Sequence, residues 1–145
     1  MTELVIDASV AIKWLVPEDL RQEALALVRM EFELIAPDIL IPEIGNIAWK
    51  KQARGEIDLQ QSQLIGNRIG AYFHEIVPSD SMISNALDIA ITLKHPIYDC
   101  FYLACARQRR APLVTADTRL ATLAHSVSPS VTAIPLRDAI RVLGL

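Results

Sequence analysis

The chain has 145 residues, of which 52% are apolar, 21% charged and 6% aromatic. That length fits one compact domain, residues 1–145, and that composition supplies a full core, which excludes a disordered or low-complexity chain. A formal net charge of −3 and a pI near 5.6 argue against a protein that holds phosphates by general basicity. A short apolar strand, Leu4-Val5-Ile6, runs into Asp7, with no basic segment before it, so no secretory signal is expected. A helix is predicted from Ala8 to Leu15, capped by Asp7 or Ser9 and followed by Pro17. From Asp19 to Phe32, Leu20, Ala24, Leu27, Val28 and Phe32 recur at helical spacing. Leu34-Ile35-Ala36 reads as a second strand before Pro37. Pro42 then opens a helix at a first-turn position and Gly55 ends it. Asp58 caps the next helix, through Leu64, Ile65, Ile69 and Tyr72-Phe73. Glu75-Ile76-Val77 is a third strand, Ser79 to Lys94 a helix, and Pro96 starts another, with Tyr98, Phe101, Tyr102 and Cys105 on one face. Pro112 to Thr115 is a fourth strand ending at Asp117. A short helix, a fifth strand around Val131 to Pro135 and a C-terminal helix complete the chain.

Strands alternating with helices imply an α/β fold: a mostly parallel sheet of about five strands, covered on both faces. Such sheets bind ligands at the carboxyl ends of their strands, near a topological switch point. Four acids fall at such places. Asp7 closes the first strand, Glu43 lies just inside the helix opened by Pro42, Asp99 sits in the first turn after Pro96, and Asp117 follows the fourth strand. Each alone is an ordinary helix cap or first-turn acid. Asp99 fits that reading least, because its surroundings, Ile97-Tyr98-Asp99-Cys100-Phe101-Tyr102-Leu103-Ala104, are apolar on every helical face. A carboxylate buried there needs a cation or strong donors, and no Lys or Arg lies on the adjacent turn. Carboxylates converging at a sheet edge, with no His or Cys at ligand spacing, favour Mg²⁺ or Mn²⁺ over zinc. Setting four acids aside for such a cage turns the net charge from −3 to +1. A carboxylate-held metal suggests phosphoryl chemistry. No Gly-rich phosphate loop occurs, which lowers the nucleotide-cofactor enzymes.

The remaining features read more plainly. His74, His95 and His125 abut element ends and are expected at the surface or as caps. Cys100 and Cys105 lie five apart in one helix and are expected to be reduced packing thiols of a cytoplasmic protein. Arg107, Arg109 and Arg110 form one basic cluster, and Lys50, Lys51 and Arg54 a second; both are expected as solvated helix ends. Trp14, Trp49 and Tyr72-Phe73 are expected in the core, with an interface, or base stacking by Trp49, as the alternative. No apolar run reaches the ~18 residues of a membrane span.

The motifs around the four acids resemble those of PIN domains. Ile6-Asp7-Ala8-Ser9-Val10, followed by Trp14-Leu15 and Pro17-Glu18, is similar to the N-terminal signature of that family. Pro42-Glu43-Ile44-Gly45-Asn46 resembles its second motif, Tyr98-Asp99-Cys100-Phe101-Tyr102-Leu103-Ala104 its third, and Leu113-Val114-Thr115-Ala116-Asp117 its fourth. They come in family order, at a length typical of VapC-type toxins. The resemblance implies a three-layer α/β/α sandwich and a Mg²⁺- or Mn²⁺-dependent endoribonuclease. By position, Asp7 and Asp99 would be the main metal ligands, and Glu43 and Asp117 would complete the acidic pocket. Ser9 and Thr115 would support the ligands with their hydroxyls. Apart from the motif positions, Arg119 and Lys50 are the candidate RNA contacts. The resemblance also implies a homodimer and a small antitoxin that covers the site. The family pattern departs at Asp117-Thr118-Arg119, where many relatives carry a basic residue straight after the acid.

Two rival classes fit less well. A phosphoacceptor receiver domain carries adjacent acids after its first strand, whereas Asp7 is followed by Ala8. A haloacid-dehalogenase-like phosphatase would want Asp-x-Asp, and Ser9 stands in the second place. A PIN domain that only scaffolds RNA or partners is the third alternative.

Overall fold

The computed structural model describes residues 2–144. Its strands are β1 (Glu3–Ile6), β2 (Glu33–Pro37), β3 (Glu75–Val77), β4 (Leu113–Thr115) and β5 (Ala133–Pro135). The helices among the described residues are α1 (Ala8–Ala11), α2 (Arg21–Arg29), α3 (Leu40–Ala53), α4 (Leu59–Arg68), α5 (Ile83–Leu93), α6 (Ile97–Arg109), α7 (Thr118–Ala124) and α8 (Leu136–Leu143). Every strand pairing is parallel, and the order across the sheet is β3-β2-β1-β4-β5. The fold is an α/β/α sandwich of the expected class. Leu4, Val5 and Ile6 of β1 and Leu113 and Val114 of β4 have no exposed surface. Strands covered on both faces carry such unbroken apolar runs, rather than the alternation of a half-solvated sheet.

The order of strands decides where the site lies. From β1 the chain moves outward to β2 and β3 on one side, then returns to place β4 and β5 on the other. The crevice between the carboxyl ends of β1 and β4 is therefore the switch point, where diverging connections leave an opening. Asp7 follows β1, and Ala116-Asp117 follow β4.

Several elements differ from expectation. The Ala8–Leu15 helix stays α-helical only to Ala11 and tightens to a 3-10 turn at Ile12–Trp14. Its residues are nearly all buried, so packing sets its path; the Trp14 indole donates to the Ala24 carbonyl at 2.9 Å. The helix after Asp19 begins at Arg21, because Leu20 adopts the left-handed conformation, φ 65°. The Pro42 helix starts two residues early, at Leu40, which keeps Pro42 among the first-turn residues whose N–H groups have no helical partner. Ser79–Lys94 splits into a 3-10 turn at Ser79–Ser81 and α5. Asp38 causes the split: at the end of β2, its carboxylate accepts from the Ser79 N–H at 3.0 Å and from the Ser79 hydroxyl. Asp58 caps α4 as expected, in a reciprocal box with Gln61.

Candidate active site

Asp7 leaves β1 in an extended conformation and caps α1, its carboxylate accepting from the Val10 N–H at 3.2 Å and the Ser9 hydroxyl at 2.7 Å. The Thr115 hydroxyl, arriving from the neighbouring strand β4, donates to its other oxygen. Thr115 in turn accepts from the Asp117 N–H at 2.9 Å, and the Ser9 hydroxyl accepts from the Ala116 N–H at 3.0 Å. These bonds tie the ends of β1 and β4 together across the switch point. Asp7 is almost wholly buried. Burial pushes its carboxyl up to about 6, against the downward pull of Thr115, Ser9 and Val10; the Asp117 charge adds a smaller upward push. Desolvation thus outweighs three hydrogen bonds.

Glu43, in the first turn of α3, faces the same space. Burial pushes it up to about 7; the nearby Tyr102 hydroxyl opposes this, and the charges of Asp7 and Asp99 add to it. Tyr102, on α6, is raised by burial first and then by Glu43 and Asp7. Its hydroxyl is buried without a well-formed hydrogen bond, a costly state for a polar group facing two carboxylates. Asp117 caps α7, accepting from the Arg119 and Leu120 N–H groups at 2.9 and 3.3 Å.

Asp99 is less buried than its apolar surroundings suggest, with 24% of its side chain exposed. Its place in the first turn of α6 puts the carboxylate at the mouth of the crevice. It has partners that sequence reading missed. The His95 ring lies 2.9 Å from Oδ2, and the Arg119 guanidinium reaches the same oxygen at 3.3 Å and Asp117 at 3.8 Å. The His95 signal was present as i, i+4 spacing to Asp99. The Arg119 contact joins α7 to α6 and has no local signal. The structure thus brings Asp7, Glu43, Asp99 and Asp117 to one crevice, with Ser9, Thr115 and Arg119. Among the described residues, no three His, Cys, Asp or Glu side chains close into a metal cage by themselves. The donors still suit a hard divalent cation. They are carboxylate oxygens whose charges oppose the ionisation of Asp7 and Glu43, and Mg²⁺ binds through one or two carboxylates while keeping several waters.

A family model of the PIN domain matches residues 4–126. The chain belongs to the PIN-domain family. A curated relative of this PIN domain, Ribonuclease VapC3 of Pyrobaculum aerophilum, is 28% identical over 123 residues, covering 82% of this chain and 92% of its own. Among solved structures, PAE2754 of Pyrobaculum aerophilum superposes with a TM-score of 0.71 at 20% identity, covering 99% of this chain and 91% of that one. VapBC2 of Rickettsia felis, bound to a DNA fragment from its promoter, gives a TM-score of 0.68 at 13% identity, covering 92% of this chain and 98% of that one. At those identities the superpositions speak for the fold.

The other candidate residues of the PIN domain divide. Trp14 is core, stacked on Tyr72 with ring centres 4.9 Å apart and close to Phe73 at 5.4 Å. Trp49 is not: 66% of it is exposed, because it occupies the outer face of α3. Tyr98, expected on the buried face of α6, is equally exposed, the first turn projecting past the sheet. Both cysteines are buried and unpaired; burial pushes Cys100 up to about 11 and Cys105 to about 12, which keeps them thiols. Arg107 and Arg109 are not solvated ends. Arg107 bonds Asn85 and the Ser128 carbonyl, and Arg109 grips Glu3 and Glu75. Lys50 is exposed in a groove of about 460 Å³ that begins at Ser9 and Ala116 and also holds Lys13, Lys51 and Arg54. Two of these cations are engaged, Lys13 and Lys51 meeting Glu18 at 3.0 and 2.6 Å. Burial raises Glu18, yet the two lysines hold it below the usual glutamate value.

Proposed function

We propose that this PIN domain is a Mg²⁺-dependent endoribonuclease, with Mn²⁺ able to substitute, and the cytoplasmic toxin half of a toxin–antitoxin pair. The observation that carries the reading is the convergence of buried Asp7 and half-buried Glu43, both with raised carboxyl pKa values, at the switch point of a parallel sheet. Asp7 and Asp99 would hold the cation. When bound, it supplies positive charge to the phosphate and acidifies a water, which suits hydrolysis without a covalent enzyme intermediate. Glu43, raised to about 7, is poised to accept a proton from the attacking water near neutral pH. Thr115 and Ser9 hold Asp7 in orientation. Arg119 and the groove lysines, Lys50 among them, offer cations to an RNA backbone, so binding does not depend on net charge.

The relative named as a ribonuclease supports RNA as substrate, and the resemblance to VapC-type toxins supports an antitoxin. Exposed Trp49, beside an apolar groove between α3 and α4, is the surface best suited to that partner. The test is to incubate the purified protein, freed of partner, with mixed RNA in Mg²⁺, Mn²⁺ or EDTA, with Asp99→Asn in parallel. Cleavage abolished by both EDTA and Asp99→Asn is expected. Cleavage that survives Asp99→Asn would refute the site. Absence of cleavage with Mg²⁺ binding intact by calorimetry would replace the nuclease by a scaffolding PIN domain.

A further inference from the structure

A second cavity, of about 220 Å³, shares the Thr115–Asp117 wall with the acid cluster but extends under the carboxyl ends of β4 and β5. One face of α7 forms its side: Thr118, Ala121, Thr122 and His125 follow at i, i+3, i+4 and i+7. Opposite lie Leu20, Pro135 and Arg137.

We propose that this cavity seats one nucleobase of the RNA, that of a nucleotide flanking the scissile phosphate, and so sets the base preference of cleavage. The inference rests on the ribonuclease reading for its substrate. Position is the first argument. A phosphate at a cation held by Asp7 and Asp99 would leave an adjoining base within reach of a cavity that begins at Asp117. Size is the second, because the cavity is smaller than the roughly 300 Å³ at which drug-sized sites begin and so suits one ring system. Chemistry is the third. Leu20, Ala121 and Pro135 offer apolar surface to a ring's faces. The Thr118 hydroxyl, the His125 ring and the Arg137 guanidinium have no hydrogen-bond or ion-pair partner among the described residues and can meet a base's edge. The Thr122 hydroxyl donates to the Thr118 carbonyl at 2.9 Å, which leaves its lone pairs as acceptors. The fourth argument is backbone strain. Leu20 holds φ 65°, a conformation that bulky residues avoid, and its side chain lines the cavity.

The test joins a binding readout to a cleavage readout. The four nucleoside 5′-monophosphates are titrated into the full chain in EDTA and followed by backbone amide shifts. In parallel, cleavage sites on a random-sequence RNA are sequenced for the wild type, Ala121→Leu, which fills the cavity without weakening α7, and Thr118→Val. At least one nucleotide is expected to shift amides from Thr118 to His125 and at Arg137. Ala121→Leu is expected to weaken that binding about tenfold or more, the loss expected of a displaced stacked base. Both variants are expected to change the base preference beside the cut, and Asp99→Asn to bind nucleotide as the wild type does. Shifts confined to other surfaces with all four nucleotides would overturn the proposal. So would unaltered affinity and base preference in both variants. Cavity-localised binding that Ala121→Leu removes, in a wild type that cleaves nothing, would leave the cavity standing and refute the nuclease.

Discussion

Asp7 carries two opposed demands: it caps a helix, which favours charge, in a place almost without solvent, which opposes it. Burial wins, and its carboxyl stands at about 6 against an ordinary 3.8, with Glu43 at about 7 against 4.5. The folded protein therefore holds protons that the unfolded chain has released, from about pH 4 up to about 7. Over that window the metal-free protein loses stability as pH rises. Glu18 and Glu75 are shifted the other way, so their contribution is lost only as pH falls below the ordinary glutamate value. In EDTA, Tm is expected to fall between pH 5 and pH 8. Asp7→Asn, which keeps a capping oxygen without the charge, should flatten that fall and add on the order of 1–3 kcal/mol at pH 8. Mg²⁺ should raise Tm more at pH 8 than at pH 5, because it competes with protons for the same oxygens. Scanning calorimetry across pH checks all three, and a Tm in EDTA that rises over this range would refute the assignment. Asp7 and Asp99 stood out in the sequence because carboxylates in apolar settings are expensive, whereas Glu43 and Asp117 each read alone as an ordinary first-turn acid or cap. His95, Tyr102 and Arg119 were not singled out in those contacts. A histidine beside a proline reads as punctuation, and a tyrosine among apolar residues reads as core.

Among the elements, α6 does the most to place the site, since it carries Asp99 at one end and a clamp at the other. At its last turn, Arg109 donates to Glu3 at 3.1 and 2.5 Å and to Glu75 at 3.0 and 2.8 Å. Those acids begin β1 and β3, so one guanidinium spans the amino edge of the sheet over β2, at the end away from the crevice. A single exposed ion pair contributes little, but a bidentate, part-buried network holds more. Arg109→Ala also leaves two carboxylates facing each other unpaired. It is expected to cost about 1–3 kcal/mol in urea unfolding while leaving cleavage per folded molecule unchanged. Arg110→Ala, which removes an exposed cation at a left-handed position that neither residue favours, should fall within about 0.5 kcal/mol of wild type. Equal losses in both variants would dissolve the clamp. The clamp also marks a limit of sequence reading. Three arginines in a last turn look alike, and only the pairing of strands far apart in the chain separates Arg109 from Arg110. The strands themselves were legible to within about two residues, because buried parallel strands are short apolar runs bounded by proline and acid. The order β3-β2-β1-β4-β5 was not, because it depends on pairings that no local pattern encodes.

At the scale of the whole molecule, a second apolar surface, on α5, has no partner among the described residues. Helix α5 buries Ala86 and Ile89 against the body and turns Ile83, Leu87 and Ile91 outward, 44%, 48% and 69% exposed. Spaced by four, these three form a single stripe along about two turns. Scattered apolar residues on a surface are ordinary, but an aligned stripe on one helix marks an interface. A helix offering one stripe most simply meets its own copy across a twofold axis, where the same residues face each other from both sides. A homodimer is therefore expected, matching what the PIN-domain resemblance implies, and its contact would be α5 against α5. The 16.1 kDa chain should sediment at about twice that mass at micromolar concentration. Leu87→Glu, placing like charges opposite each other at the centre of the contact, should return it to a monomer without unfolding it, because Leu87 lies outside the core. Its Tm should then lose the concentration dependence that a dimer shows. A wild type that sediments as a monomer, or a Leu87→Glu variant that stays dimeric, would rule out the α5 contact.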